Sequence, residues 1–446
     1  MSEVLRGNIS VHILKQSGIL LLGVLFLASF MLVDVYFVSQ LGSESLAAIS
    51  YATPVMSLLV SLFLGMGAGM VVVVSNAAGR QDPVQLQKYL LSSLSLSLLG
   101  GLLMLFALTS GSAFFFQQLG GAGNVLEQLL DYFEVLSLGM LFLSLLVGVT
   151  SLARALGNHQ LLTYTMLLLV IINLSLDPIL IFGYLGFPGL GIRGAAWATT
   201  IAISVSMWVP VPYLWKSLRL SGKALKVSHF FSWKKIIAMA LPIMLANGLV
   251  PLGNTVFVKL LSDFGKDAVA AYGAGSRIDM LVILSFTSLT AVLAPFIGQN
   301  LGAGQYQRAY QGFRMGAIYA TGYGLLAAVL ASMFDNSISG IFATERPVLE
   351  SLKEYLGIVP WGYAANGFVM ISLTVLNVYQ KPWWATGLAL CHLFLFYLPI
   401  AYLAAEVGSY LGILAAYPLS HLLASVLSFL LLKRISSLKL IYTEVS

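Results

Sequence analysis

Twelve stretches of about twenty residues run almost free of charge along this chain, more apolar helix than a soluble fold can cover. Crossing ~30 Å of hydrocarbon takes about 20 apolar residues in a helix, and helices or closed barrels alone satisfy a backbone in lipid. The stretches lie near 17–39, 50–75, 88–109, 129–152, 161–182, 194–217, 236–260, 271–298, 312–333, 350–375, 384–405 and 410–432. Charged residues are 9% of the 446 and hydrophobic residues 59%, whereas soluble domains carry roughly 25% charged. The expected fold is an all-α polytopic membrane protein with twelve transmembrane helices. Prolines inside the runs (Pro54, Pro178, Pro210, Pro242, Pro251, Pro295, Pro360) mark expected bends.

Several function classes drop out. The single cysteine, Cys391, excludes a disulfide framework. His12, His159, His229, His392 and His421 do not cluster, and neither HExxH, CxxC nor a Walker-type phosphate loop occurs. An enzyme and a built-in ATPase are therefore not expected, and no cofactor is implied. The net charge of +6 is no nucleic-acid signal, because the basic residues sit in short loops. No small-residue cleavage site follows Arg6 and Lys15, so the first span is expected to be retained.

Loop charge sets the expected orientation. Seventeen of the 23 Lys and Arg, from Arg6 and Lys15 through Arg80, Arg154, the 216–235 cluster, Arg308 and Lys381 to Lys439, fall on one side together with both termini. That side is expected to be the cytoplasm, in a multi-pass protein of the bacterial inner membrane.

The chain also reads as two halves. The longest polar connection separates six spans from six. Leu41–Ala48 aligns with Phe264–Ala271, and Gly79 with Gly302, both at an offset of 223. An even number of spans per repeat implies parallel repeats about the membrane normal. The expectation is two pseudo-symmetric six-helix bundles around a central cavity: an N-lobe at 1–217, a cytoplasmic linker at 218–235 and a C-lobe at 236–446.

Two acids stand inside apolar runs. Asp34 lies about five residues before the outer end of the first span and Asp177 about five before that of the fifth. At 1.5 Å per residue both are roughly 7–8 Å deep, and intramembrane acids are functional candidates by default. Asn173 precedes Asp177 by one turn on the same face, and Pro178 follows it. Removing a carboxylate from water disfavours its charged form, and a second acid disfavours it further. Two carboxylates and an amide thus suit a proton, or Na⁺ as a hard cation. Snorkelling to the interface, or capping backbone beside the proline, is the structural alternative for each. Tyr132, starting the fourth span, can donate into the cluster, while Asp131 and Glu134 read as solvated. Phe30, Tyr36 and Met166 are tentative substrate contacts among the soft side chains of this half. In the second half, Lys259 with Asp263 and Arg277 with Asp279 read as surface or lobe-stabilising ion pairs, leaving no evident carboxylate site.

The segment from Ala153 to Thr200 (ARALGNHQLLTYTM…GLGIRGAAWATT) and VDVYFVSQLGSESLAAIS at 33–50 resemble the multidrug and toxic compound extrusion family, MATE, across essentially the whole chain. The N-x-x-x-D-P pattern of Asn173–Pro178 and the acid in the first span resemble its prokaryotic DinF-like branch. The resemblance implies that Asp34, Asn173, Asp177 and Tyr132 form an N-lobe site coupling cation uptake to drug export. It also makes Thr199 the nearest match to a sixth-helix threonine, here a tentative substrate contact. Relatives carry a proline early in the first helix, but the repeat register places Ile19 there, opposite Pro242. Acids of a NorM-like C-lobe Na⁺ site are missing.

The expected activity is cation-coupled export of organic, mostly cationic or zwitterionic aromatic compounds in exchange for H⁺, with Na⁺ open, by alternating access. The chain is expected to work as a monomer in the bilayer. A lipid-linked-precursor flippase of the same superfamily and a membrane-embedded enzyme are the alternatives. The first would want buried basic residues, and the second a catalytic constellation.

Overall fold

The computed structural model describes residues 3–118, 122–219, 232–342 and 345–443, with side chains described there except at 3, 30–32, 219, 250, 252 and 435–443. Residues 220–231 of the expected linker thus lie outside the described residues. Twelve helices are long and apolar enough to cross a membrane. They are α1 (Ile9–Ser39), α2 (Ser43–Gly79), α3 (Pro83–Gln118), α4 (Gly123–Ala155), α5 (Gln160–Phe182), α6 (Ile192–Leu218), α7 (Trp233–Ser262), α8 (Lys266–Gly302), α9 (Tyr306–Met333), α10 (Arg346–Val378), α11 (Pro382–Glu406) and α12 (Tyr410–Arg434).

Each apolar run sits inside one of these helices, and several helices overshoot it. The 37 residues of α2 and of α8 amount to about 55 Å of helix. Their polar ends keep helical hydrogen bonds beyond the apolar window, so hydropathy alone underestimates their length. Prolines stop the α-helical ladder in two places. In α6 the helix stops at Ser206 and resumes at Val211, after Pro210. In α10 a 3-10 turn at Val359–Gly362 holds Pro360. Through Pro54, Pro178 and Pro295, helices α2, α5 and α8 run on. A further irregularity lies just before a proline: α11 contains a π-helical turn at Cys391–Tyr397, and Pro399, two residues on, cannot donate to the Leu395 carbonyl.

Two compact units emerge. One holds residues 18–244 and 299–304 with the chain up to Arg6; the other holds 7–17, 245–298 and everything after 304. Within the first, small residues let helices approach closely, as membrane packing favours. Thr163 of α5 donates its hydroxyl to the Ile19 carbonyl at 3.1 Å, so the helix position lacking the family proline is tied to α5. The ends of α2 and α8 meet just as tightly. A Cβ on Gly79 would lie 2.0 Å from the Gln299 carbonyl oxygen, and one on Gly302 would lie 2.1 Å from that of Asn76. Only glycine fits either position. The second unit is cored by Phe257, Leu261, Leu393, Tyr397 and Ile413, and by Leu352, Tyr355, Leu356 and Leu414.

Left-handed backbone positions repeat along the chain. Residues 42 and 265, 81 and 304, 157 and 380, and 185 and 408 all have positive φ. Each pair is separated by 223 residues, the offset set by the sequence anchors. Loop reversals therefore recur where the residues themselves differ: Gln81 answers Gly304, Gln380 answers Gly157, and Leu185 answers Gly408.

Candidate ion-coupling site

Helix periodicity places Asn173 and Asp177 one turn apart on the face of α5 turned into the first unit, and both are 0% exposed. With the Asn173 amide oriented to satisfy its neighbours, its Nδ2 donates to Asp177 Oδ2 at 2.9 Å. Its Oδ1 accepts from the Thr199 backbone N–H at 3.0 Å and from Thr199 Oγ1 at 3.2 Å. Asn173 thereby links the α5 carboxylate to α6. Asp34 of α1 and Tyr132 of α4 complete the group. Tyr132 is buried, and the three groups Asp34, Asp177 and Tyr132 lie within electrostatic range of one another. Among the described residues, Oδ1 of Asp34 and Oδ1 of Asp177 are buried without a hydrogen-bond partner, and neither acid is in an ion pair. Buried polar oxygens are normally satisfied. Two unsatisfied carboxylate oxygens in one apolar unit have the chemistry to accept a positive ion.

The residues expected here separate cleanly. Asp34, Tyr132, Asn173 and Asp177 come together, and Thr199 joins them as a hydrogen-bond partner of Asn173. Met166 packs two turns away against Gly23 of α1, where a glycine Cβ would lie 3.4 Å from its sulfur. Tyr36 does not join the cluster: it is 60% exposed, with its ring 6.1 Å from that of Phe37. The side chain of Phe30 lies outside the described residues. Glu134 is exposed and Asp131 half-buried, and Arg193 of α6 bridges both, at 3.5 Å to Asp131 and more closely to Glu134. Exposed pairs of this kind add little stability, yet this one fixes the first turn of α6 beside α4.

The reading of the second half needs correction. Asp279 is not paired with Arg277, nor Lys259 with Asp263, among the described residues. Asp279 is instead buried, at 9% exposure, and each of its oxygens accepts a phenol: Tyr355 donates to Oδ2 and Tyr363 to Oδ1, both at 2.5 Å. A buried carboxylate does exist in this half, on α8. Nearby, Asn366 donates to the Tyr417 hydroxyl at 2.9 Å, and the rings of His392 and His421 lie 4.3 Å apart. The arginine two residues before Asp279 disguised it as a helix-end charge. Its hydrogen-bond partners are two buried tyrosines of α10, distant in the sequence.

The family model MatE matches this chain twice, over residues 20–179 and 242–403. The chain belongs to the MatE family. Its two matched segments begin 222 residues apart, close to the spacing of the recurrent turns. As a MATE protein it is a multi-pass membrane transporter of small molecules and not an enzyme. It is similar to an FAD transporter of Shewanella oneidensis, 34% identical over 97% of this chain and 96% of that one. It is also similar to a probable multidrug resistance protein, YoeA, of Bacillus subtilis, 26% identical over 86% and 85%. Among solved structures it resembles a mutant of the Vibrio cholerae MATE transporter VcmN, with a TM-score of 0.89, 28% identity, and coverage of 96% and 97%.

Proposed function

We propose that this MATE transporter is a DinF-like antiporter of the bacterial inner membrane, both termini cytoplasmic, that exports aromatic organic compounds in exchange for protons bound at Asp34 and Asp177. The observation that carries the reading is the pair of buried, unpartnered carboxylate oxygens on α1 and α5. A proton arriving at Asp34 removes one of two facing negative charges. Asn173 is then free to shift its amide between Asp177 and Thr199, and Tyr132 to turn its hydroxyl toward the remaining charge. These exchanges draw α1, α4, α5 and α6 into a different arrangement. Each elementary charge carried inward contributes about 2.3 kcal/mol per 100 mV, so a few protons sustain a large substrate gradient. Na⁺ is the competing ion, because two carboxylates and an amide oxygen also suit a hard cation.

The likeness to an FAD transporter supports a second reading of the cargo, a flavin dinucleotide in place of a cationic aromatic. Ionised acids would repel an anionic dinucleotide, so its export against protons requires it to bind apart from Asp34 and Asp177, with the helix rearrangement carrying the coupling.

Proteoliposomes tested with ethidium and with FAD, under a pH or a Na⁺ gradient imposed separately, decide among these. Export of either probe driven by the pH gradient in the wild type, and lost in Asp34→Asn, is the expected result. Equal export by wild type and Asp34→Asn under both gradients overturns the coupling.

A further inference from the structure

Helix α10 is interrupted at Val359–Gly362, and the two tyrosines that flank the interruption, Tyr355 before it and Tyr363 after it, converge on one carboxylate of α8. The room for this convergence is built in. One turn before Asp279, Gly275 faces the ring of Tyr355, and a Cβ there would lie 2.3 Å from it. On the other flank, Gly324 of α9 lets α10 come so near that a Cβ would lie 2.6 Å from the Ala364 nitrogen. Asp279 thus holds both arms of a proline break. Such breaks mark hinges when they persist in otherwise regular helices.

The groups around this carboxylate are phenols. Tyr272 of α8, Tyr355 and Tyr363 of α10, Tyr397 of α11 and Tyr417 of α12 all lie within electrostatic range of Asp279. His392 stands behind Tyr397 and His421 behind Tyr417. Neither a second acid nor a Lys or Arg pairs with Asp279 among the described residues. A metal ion would need several oxygen ligands beyond one carboxylate, and both oxygens here already accept a hydroxyl. A proton needs only one oxygen, because a phenol can turn from donor to acceptor in place.

We propose that Asp279 is a second proton-exchange site, separate from the Asp34–Asp177 cluster, and that its proton works the break in α10. Ionised, the carboxylate draws in both tyrosine hydroxyls and clasps the two arms. When a proton from water binds one oxygen, that oxygen becomes a donor and one phenol must accept from it. The charge that held the pair together is gone, and the turn at Val359–Gly362 loosens.

The test is pH-difference infrared spectroscopy on the full-length protein in liposomes, with hydrogen exchange of residues 355–366 measured on the same samples. Acidifying the wild type should bring up a carboxylic C=O stretch with a component missing from Asp279→Asn but present in Asp34→Asn. Tyr363→Phe should keep that component and move its midpoint by about one pH unit, the scale of one hydrogen bond to a charged group. Amide exchange around the break should rise several-fold on acidification in the wild type and stay flat in Asp279→Asn. If Asp279→Asn fails to fold, Tyr355→Phe and Tyr363→Phe carry the same test. Superimposable spectra of wild type and Asp279→Asn, an unmoved midpoint in Tyr363→Phe, or pH-independent exchange in the wild type would overturn the proposal. Asp34 gives its own spectral component, so the two acids succeed or fail independently.

Discussion

The two units solve the problem of a buried acid in opposite ways. In the first, Asp34 and Asp177 keep carboxylate oxygens without partners, and the one amide at hand is shared with Thr199. In the second, Asp279 has a hydroxyl on each oxygen. Burying a charge is expensive unless hydrogen bonds or a partner ion compensate it. The second unit compensates with its own side chains; the first leaves two carboxylate oxygens without a partner, where the proposed ion would bind. An incompletely satisfied site suits capture and release of that ion, whereas a fully satisfied one suits holding helices together until a proton disturbs it.

The contrast is breakable. Most demanding is activity: Asp177→Asn should reduce proton-driven export more than about tenfold, ~1.4 kcal/mol in the barrier, while Asp279→Asn slows it severalfold and leaves the gradient requirement in place. Comparable losses of coupling in vesicle assays would erase the distinction. Next comes stability. Tyr363→Phe strips a hydrogen bond from a buried carboxylate and should cost about 1.5–3 kcal/mol, read as a fall in the detergent-solubilised melting temperature. Tyr132→Phe, whose hydroxyl has no hydrogen-bond partner among the described residues, should cost under about 0.5 kcal/mol. Crowding gives a similar pair. Gly275→Ala pushes against the Tyr355 ring and should destabilise by about 1–3 kcal/mol, whereas Gly139→Ala meets the Thr200 hydroxyl 2.7 Å away, which can rotate aside, and should cost less. The smallest effect belongs to the loops. Gln380→Gly relieves a left-handed residue at φ 61 and should raise stability by up to about 1 kcal/mol. Gly157→Ala, at the matching turn, should lower it by a similar amount.

The same contrast explains what could be read without coordinates. Twelve helices were legible because apolar length is a one-dimensional property. Asp34 and Asp177 were legible because each is a lone charge in such a run, and Asn173 because helix period ties it to Asp177. Thr199 entered through family likeness and proved to be a hydrogen-bond partner of Asn173. Asp279 was hidden for a physical reason: its environment is made of tyrosines 76 and 84 residues away, and tyrosine, with 20 copies in the chain, is no signal in itself. Tyr36 lies only two residues from Asp34, which in a helix puts it on a different face of α1, exposed and away from the cluster. Irregular helices divided likewise. Pro210 and Pro360 broke theirs, Pro399 follows the π-helical turn of α11, and Pro54, Pro178 and Pro295 left their helices continuous.

The crossing at Gly79 and Gly302 carries one more consequence. Gly79 meets Gln299 and Gly302 meets Asn76, and position 299 is the repeat counterpart of 76 as 302 is of 79. The contact is isologous, the form that two identical chains adopt about a dyad. A protein assembled by doubling an ancestral gene would carry its former homodimer interface at this point, now sealed inside one polypeptide.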